Sequence, residues 1–237
     1  PFSVCPRRSS RGSSVTFGKQ PTMLIIIRFL VVCIILQGSA SCNAVARTSW
    51  SPLFDGVSLD GWEAAESPTT FSVSEGAIVA HGPRAHLFYV GPVATHNWTD
   101  FELTMDVKTS PSANSGIYFH TRFQDAGFPE IGYQVQINNT NPYPSKTGGL
   151  YGVDDRLTST VKDDAWFTVS IWVQGKRIIT KVDGEVVCDY IEPERPERKD
   201  EVKGSLLSSG TIALQGHDAD SEIRFRNIKI RSLSRRR

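Results

Sequence analysis

In the stretch FELTMDV, residues 101–107, apolar and polar side chains strictly alternate. Successive side chains of a β-strand point to opposite faces of the sheet, so this pattern predicts a strand that buries one face and exposes the other. The stretch FTVSIWV, residues 167–173, repeats the pattern. No helical stripe of comparable length is present, so the sequence favours an all-β domain.

Further strands are predicted outward from these two, in segments 117–123, 133–138, 176–182, 185–190, 211–215 and 222–230. The pair Asp183-Gly184 is typical of a tight hairpin turn. In the last segment the apolar residues change parity, so we expect a β-bulge near Arg226 and Asn227 that keeps both halves facing the core. Many short strands at near-even spacing predict a two-sheet sandwich or a barrel.

The domain organisation follows from the extent of this pattern. No Pro/Gly/Ser linker divides the strand signals evenly, so we predict a single β-sandwich domain over residues 48–234. The stretch EPERPERKDEVK, residues 192–203, has two prolines and no apolar stripe, and we expect a long surface loop there. The composition, 39% hydrophobic and 22% charged, is that of a globular protein.

The N-terminal segment predicts export. Residues 23–42 combine a basic flank at Arg28, a short apolar run and the small residues 38–41, the order that a signal peptidase recognises. The apolar run is shorter than the ~20 residues of a membrane-spanning helix, so we expect no transmembrane span in the mature chain. Residues 1–22 are then an upstream extension. We expect the protein in the periplasm or outside the cell, with lipid anchoring through Cys42 left open.

The charge of the predicted domain argues against nucleic acid as a partner. The whole chain has a formal net charge of +1, but residues 1–42 hold five basic residues and no acidic one. Removing these five from the 26 Lys and Arg leaves 21 against 25 Asp and Glu, a net charge of −4. A mildly acidic domain does not suit a phosphate backbone. Nothing in the sequence indicates the oligomeric state.

Catalytic and metal motifs of fixed spacing are absent from the sequence. It has no nucleophile elbow, zinc-protease motif, phosphate-binding loop or dinucleotide fingerprint. Asp218, Asp220 and Glu222 resemble part of a calcium loop, but the glycine and the distal glutamate of that loop are missing, so we interpret them as turn carboxylates. No cofactor is assigned, and a divalent cation is left open without a set of ligands.

Two neighbouring strands are predicted to carry a polar face. Alternation places three side chains on one side of each strand: Tyr118, His120 and Arg122, then Gln134, Gln136 and Asn138. Amide, guanidinium and imidazole groups form hydrogen bonds in fixed directions, which suits sugar hydroxyls. An ordinary solvated sheet face is the alternative. Because the second strand carries amides where a glycosidase would carry Glu and Asp, an ordinary two-carboxylate glycosidase is disfavoured.

A series of short motifs runs through nearly all of the predicted exported part: LFDG at 53–56, LDGW at 59–62, NSGI at 114–117, GYQVQINN at 132–139, TGGLY at 147–151, GTIALQGHD at 210–218 and FRNI at 225–228. Each motif is weak alone, but their order and spacing together are specific. They resemble the 3-keto-disaccharide hydrolase family. The resemblance implies a concanavalin-like jelly roll, a two-sheet β-sandwich, with a carbohydrate as its partner.

The resemblance also implies cleavage of glycosides whose sugar has first been oxidised at C3. The ketone acidifies the hydrogen on C2, so the aglycone on C1 can leave by β-elimination through an enolate, and water adding back completes a net hydrolysis. Such a route needs one base, a group that stabilises the enolate oxygen and a proton for the leaving oxygen. No nucleophilic carboxylate is required.

Roles for individual residues follow from this chemistry as hypotheses. His217 is the first candidate for general base or acid, because imidazole carries protons near neutral pH; an ordinary turn histidine is the alternative. Arg122 and His120 are candidates to stabilise the enolate or bind the keto oxygen. The substrate-binding candidates are Tyr118, Gln134, Gln136, Asn138, Tyr151 and Asp218. Asn114 is assigned to the turn before its strand.

One position departs from the resemblance. Many relatives carry Glu where this chain has Gln134. If that Glu is the base or a metal ligand, this protein is slower, altered in substrate, or a binder only. Two other interpretations therefore stay open beside the enzyme: a non-catalytic carbohydrate-binding module on the same fold, and an interaction domain of the cell envelope.

Overall fold

Residues 49–234 are the part of the chain that this computed structural model describes. The predicted upstream extension, signal peptide and Cys42 lie outside the described residues. Within the described part, thirteen strands follow one another: β1 Ser51–Pro52, β2 Trp62–Ala65, β3 Phe71–Ser74, β4 Ala77–Ala80, β5 Ala85–Tyr89, β6 Phe101–Thr109, β7 Ser115–Thr121, β8 Tyr133–Ile137, β9 Phe167–Gln174, β10 Arg177–Val182, β11 Glu185–Ile191, β12 Thr211–Gly216 and β13 Ile223–Ser232. Three short 3-10 helices lie between strands, at Pro68–Thr70, Val93–His96 and Asp200–Val202. No helix in this part is long and apolar enough to cross a bilayer.

The strands form two antiparallel sheets, which confirms the predicted sandwich. The larger sheet has the order β11-β10-β9-β6-β13-β4-β3, and β1 pairs with β13 beside this path. The smaller sheet has the order β2-β5-β12-β7-β8. Most neighbours within the sheets are distant in sequence, so the chain crosses repeatedly between the two layers and both layers depend on one shared core.

That core is built by the alternating strands. The apolar members of β6 are all buried: Phe101, Leu103, Met105 and Val107. Phe101 meets Phe119 of the opposite sheet edge-on, with 5.7 Å between the ring centroids. Burying a side chain of this kind stabilises the fold by roughly 1.5–3 kcal/mol. The alternation therefore supplies the driving force that holds the two sheets together.

The predicted bulge in β13 is confirmed. Pairing between β13 and β6 changes register between Arg226 and Lys229, and Asn227 has a φ of 53°. The extra residue on the bulged strand reverses the parity of the side chains that follow it. As a result the apolar residues on both sides of the bulge point into the core: Ile223, Phe225, Ile228 and Ile230.

The charged stretch 192–203 is the long surface loop that its sequence predicts, since most of its residues are exposed, but one basic side chain points inward. The Arg198 side chain is only 8% exposed. Its guanidinium lies over the rings of Tyr133 and Tyr190 and donates to both hydroxyls at 2.8 Å. A guanidinium can stack on aromatic rings while its N–H groups stay hydrogen-bonded, so burial of this charge is tolerated. The stretch is thereby anchored to β8 and β11.

The outer face of the smaller sheet also buries side chains. A second apolar cluster, separate from the main core, consists of Ala65, Phe88, Tyr118 and Ala213. His86 packs against this cluster, 5.4 Å from the Tyr118 ring centroid, and is only 1% exposed. Within the described part of the chain, neither ring nitrogen of His86 has a hydrogen-bonding partner.

The environment of His86 disfavours its charged form. Burial lowers its pKa from 6.5 to about 4; the nearby Glu66 carboxylate opposes the shift, while the positive charge of Arg84 and the proximity of His217 add to it. His86 is therefore a neutral imidazole around pH 7, with one N–H donor and one acceptor nitrogen.

This pKa predicts a loss of stability in mild acid. Between pH 6.5 and pH 4 the unfolded chain binds a proton at His86 that the folded protein resists, so the free energy of unfolding falls as the pH is lowered through this window. The loss is about 3 kcal/mol over the whole window. We expect the free energy of unfolding of His86→Phe, measured with urea at pH 7 and pH 4, to fall less between these two pH values than that of the wild type. The difference should be about this amount. Equal losses in the two proteins would contradict a buried neutral imidazole.

Candidate active site

A cavity of about 560 Å³ opens on the outer face of the smaller sheet. This is a typical volume for a small-molecule site. Strands β7, β8 and β12, with the residues directly before β7 and after β12, supply its polar side chains: Asn114, Tyr118, Gln134, Gln136, Gln215 and His217. The alternation in β8 sends its apolar residues to the core and its amides outward, as the sequence predicts.

A glycine in β7 makes room for these amides. A Cβ atom at Gly116 would lie 2.7 Å from Gln134 Cγ, closer than carbon atoms can approach. Gly116 stands opposite Gln136 in the β7–β8 pairing. The Gln134 side chain therefore occupies space above β7 that any other residue at position 116 would fill.

Three amides form a chain of hydrogen bonds across the cavity. Gln134 Nε2 donates to Gln136 Oε1 at 3.1 Å, and Gln136 Nε2 donates to Asn114 Oδ1 at 2.6 Å. Asn114 Nδ2 in turn meets His217 Nε2 at 3.2 Å. Gln136 and Asn114 are buried, at 1% and 7% exposure. Buried amides are costly to leave unpaired, so this order of donors and acceptors is well defined. We call this chain the amide relay.

The amide relay fixes the tautomer of His217. Because Asn114 Nδ2 can only donate, Nε2 of His217 accepts, and the ring proton lies on Nδ1. Nδ1 donates to Asp218 Oδ2 at 2.6 Å. Burial raises the pKa of the Asp218 carboxyl, but hydrogen bonds from His217 and Ser221 outweigh it and the net pKa is lowered. Asp218 is thus a charged group that orients the imidazole, as in a Ser-His-Asp triad, and leaves a basic nitrogen at the cavity.

Tyr118 lies beneath the same amides. Its hydroxyl donates to Gln134 Oε1 at 2.9 Å and meets Gln215 Nε2 at 3.4 Å. Burial, with a smaller contribution from Tyr151, raises the pKa of Tyr118 well above its usual value. The phenol therefore stays protonated and holds Gln134 in the orientation from which the amide relay starts.

Two stacked tyrosines line the mouth of the cavity. Tyr143 and Tyr151 have ring centroids 6.0 Å apart and hydroxyls 2.9 Å apart. The hydrogen bond with Tyr143, followed by burial, raises the pKa of Tyr151 to about 12. Tyr151 thus lies in the cavity where a substrate-binding role requires it, and Tyr143 is an aromatic neighbour that the sequence analysis did not identify.

The prediction for Asn138 needs correction. This side chain follows the end of β8, is fully buried and does not line the cavity. Its amide nitrogen donates to the carbonyls of Tyr143 and Ser145, at 3.0 and 2.8 Å. Asn138 therefore holds the loop that carries Tyr143, because the chain turns away from strand geometry after Ile137.

The shared face predicted for Tyr118, His120 and Arg122 is wrong for the last two residues. His120 has a φ of 55° and lies where the β7–β12 register shifts, so the parity of the strand breaks there. Its ring contacts the Thr99 carbonyl at 2.9 Å and lines a separate groove. Arg122 follows the end of β7 and is exposed. Neither residue joins His217 in the cavity.

Two carboxylates that were not predicted for the site, in addition to the predicted Asp218, are present at the cavity. Glu130 and Glu201 line it, but both are exposed. A two-carboxylate glycosidase needs one carboxyl that burial keeps protonated, and neither residue meets that requirement. Glu201 belongs to the charged stretch that Arg198 anchors, so no local sequence signal connects it with the cavity.

The polar side chains of the cavity are mainly amides that are bonded to one another. The oxygens of the amide relay already accept hydrogen bonds: Gln134 Oε1 from Tyr118, Gln136 Oε1 from Gln134, and Asn114 Oδ1 from Gln136. Within residues 49–234, no three His, Cys, Asp or Glu side chains are grouped so that they could hold a metal ion. The cation that the sequence left open has no set of ligands here.

Asn114, Gln215 and Phe128 are further cavity residues without a predicted role in the site. Asn114 was assigned to a turn, although it opens the NSGI motif. Gln215 precedes His217 by two residues, and strand alternation from Ala213 would have placed it on the outer face. Phe128 lies in an irregular segment between β7 and β8, which carries no periodic signal.

Comparison with known proteins places this site in context. A family model described as a 3-keto-alpha-glucoside-1,2-lyase-like domain matches residues 49–231. Among solved structures, two proteins of Parabacteroides distasonis described as candidate glycosyl hydrolases are similar. The first is 22% identical with a TM-score of 0.65, over 78% of this chain and 94% of its own. The second is 26% identical with a TM-score of 0.60, over 78% of this chain and 100% of its own.

A carbohydrate-binding module of Bacillus subtilis shares the fold at 14% identity and a TM-score of 0.53, over 73% of this chain and 96% of its own. A comparison with curated proteins found no match. The structural matches show the jelly-roll fold that the sequence predicts. Because the family model matches most of the chain, the protein belongs to the carbohydrate-active 3-keto-disaccharide hydrolase family, whose domain is described as 3-keto-alpha-glucoside-1,2-lyase-like.

Proposed function

We propose that this protein cleaves glycosides of a C3-oxidised neutral sugar by β-elimination, with His217 as the base. One observation carries the proposal: the amide relay ends at Nε2 of His217, whose other ring nitrogen donates to Asp218 at 2.6 Å. A neutral imidazole so oriented is a proton acceptor at the wall of a sugar-sized cavity. We also propose that the protein is exported, as its N-terminal sequence predicts.

The elimination balances as follows. Nε2 of His217 gives up its hydrogen bond from Asn114 Nδ2 when the substrate enters, because it has a single lone pair. It then takes the proton from C2, and the C2–H electrons form the enolate of the C3 ketone. The enolate then re-forms the ketone, a C1–C2 double bond appears, and the C1–O bond breaks. The leaving oxygen takes up a proton from the protonated His217, directly or through water, so the base is regenerated. The aglycone departs as an alcohol and the sugar as a 2-hydroxy-3-keto-glycal. Water adding at C1, with a proton returning to C2, completes a hydrolysis.

The amides supply donors for the enolate oxygen. The amide nitrogens of Gln136 and Asn114 each carry a second N–H beyond the one used in the relay. Donors fixed before the reaction stabilise a developing negative charge without reorganising. The relay therefore serves two purposes, because it leaves Nε2 of His217 as an acceptor and provides N–H groups beside it.

The cavity favours an uncharged substrate. Its charged lining residues are the acidic Glu130 and Glu201, and no Lys or Arg lines it in the described part of the chain. Like charges repel, so a uronic acid or sulfated sugar is disfavoured. The stacked pair Tyr143 and Tyr151 offers an apolar surface for a sugar ring at the mouth.

Removing the base is the direct test. For His217→Ala we expect kcat to fall about 100-fold or more on a 3-keto-glucoside, because general base catalysis contributes roughly 10²–10⁴-fold. Release of the aglycone and the absorbance of the enone product measure the reaction. His96→Ala, at a histidine outside the cavity, is the matched control. Full activity in His217→Ala would refute the assignment.

The same assay decides between an enzyme and a binding module. Wild-type protein that binds a glycan but releases no aglycone from several 3-keto-glycosides would be a lectin-like module. A protein that does neither would be an interaction domain. An assay arm with EDTA shows whether release depends on a metal ion.

Gln134→Glu tests the direction of the amide relay. A carboxylate has no N–H to donate, so Gln136 and Asn114 must both reverse to satisfy it, and Asn114 then presents an oxygen to His217 Nε2. The imidazole would hold protons on both nitrogens at neutral pH. We expect kcat at pH 7 to fall about tenfold and the acidic limb of the pH–rate profile to move to higher pH. A faster Gln134→Glu enzyme would instead identify position 134 as the site of the base.

A further inference from the structure

His86 is a buried group for which the fold gives no structural reason. Both of its ring nitrogens lack a hydrogen-bonding partner in residues 49–234, whereas the other unpaired buried side chains there lack one at a single atom. A buried donor or acceptor without a partner is destabilising, and each such group needs an explanation. An apolar ring of the same size would pack against the Tyr118 and Phe88 rings without that penalty.

Phe128 separates His86 from the cavity. Its ring centroid lies 5.7 Å from that of His86 and 6.2 Å from that of His217. Phe128 is nonetheless 46% exposed as a residue, which is unusual for a large apolar residue that covers a buried group. Its segment is held by bonds within itself, such as that from Gln124 Nε2 to the Phe128 carbonyl at 2.9 Å, and by a hydrogen bond from the Gly127 backbone to the Glu66 carboxylate.

Polar groups surround the same position. The Arg84 guanidinium lies over the Phe128 ring, 5.0 Å from its centroid, and pairs with Glu66 at 2.7 Å. If Phe128 moves, His86 and this pair border one space directly beside His217. That space is lined by an imidazole, a guanidinium and a carboxylate. Together these groups can both donate hydrogen bonds to neighbouring sugar hydroxyls and accept hydrogen bonds from them.

We propose that His86 is a substrate-binding residue of a leaving-group subsite for a neutral hydroxylated ring, a second sugar rather than a small alkyl aglycone. Phe128 moves off His86 when this ring enters. One imidazole nitrogen then donates to one hydroxyl, and the other accepts from its neighbour. The proposal rests on the proposed function, because the leaving group must lie beside His217, where the bond to C1 breaks.

The test compares two substrates in the full-length protein, a 3-keto-disaccharide and the methyl 3-keto-glucoside. For His86→Phe we expect KM to rise about tenfold for the disaccharide, with kcat/KM within twofold of wild type for the methyl glycoside. His86→Gln keeps a donor and an acceptor and should recover most of the affinity. His96→Phe, away from the cavity, should change KM for neither substrate.

A role in packing alone would leave the ratio of the two KM values unchanged, and that result would overturn the proposal. If His86→Phe does not fold, Phe128→Ala replaces it. That change uncovers the imidazole, so KM for the disaccharide should fall relative to KM for the methyl glycoside. A rise or no change would count against the subsite. If the wild-type protein releases neither aglycone, the proposed function has failed. The subsite is then still tested by calorimetry, which gives the ratio of the Kd values for the disaccharide and the methyl glycoside.

Discussion

The hydrogen bond from Gln136 to Asn114, at 2.6 Å, is the interaction on which the site depends. It joins strand β8 to the residue that opens β7, and through Asn114 it reaches the residue that follows β12. These strands are neighbours in one sheet, but they are separated by many residues of sequence. A buried amide can take two orientations, in which its oxygen and nitrogen exchange places, and the hydrogen bonds of its neighbours fix one of them. A whole sheet is therefore needed to decide which nitrogen of one imidazole is basic.

The division between scaffold and site follows from this. The scaffold uses apolar residues pointing inward, and its tolerance of change is a matter of volume. The outer face of the smaller sheet uses directional groups instead, and they depend on a glycine at position 116 and on the protonated phenol of Tyr118. A change in a single side chain of the amide relay reverses or breaks its order of donors and acceptors, whereas packing in the core weakens gradually. The outer face is thus the more sensitive half of the molecule.

The sequence predicts the fold better than it predicts the site, and particular residues show why. Alternation in β6 and the change of parity in β13 are local patterns, so the sandwich and the bulge at Asn227 could both be derived from them. The irregularity at His120 has no such signal, because the alternation continues in the sequence through Arg122 and Phe123, and the parity rule fails there. Asn114 and Arg198 are similar cases. Their roles depend on partners far away in sequence, Gln136 and Tyr133, which no local signal reveals.

The burial of Arg198 has a consequence for the resistance of the protein to proteases. A stretch as charged and as rich in proline as residues 192–203 is an obvious target for trypsin-like proteases, which must draw an extended peptide with a basic side chain into their own cleft. Here the side chain that such a protease needs is enclosed between Tyr133 and Tyr190. Cleavage after Arg198 therefore requires the loop to detach first, so the contact that anchors this stretch also withholds this bond from digestion.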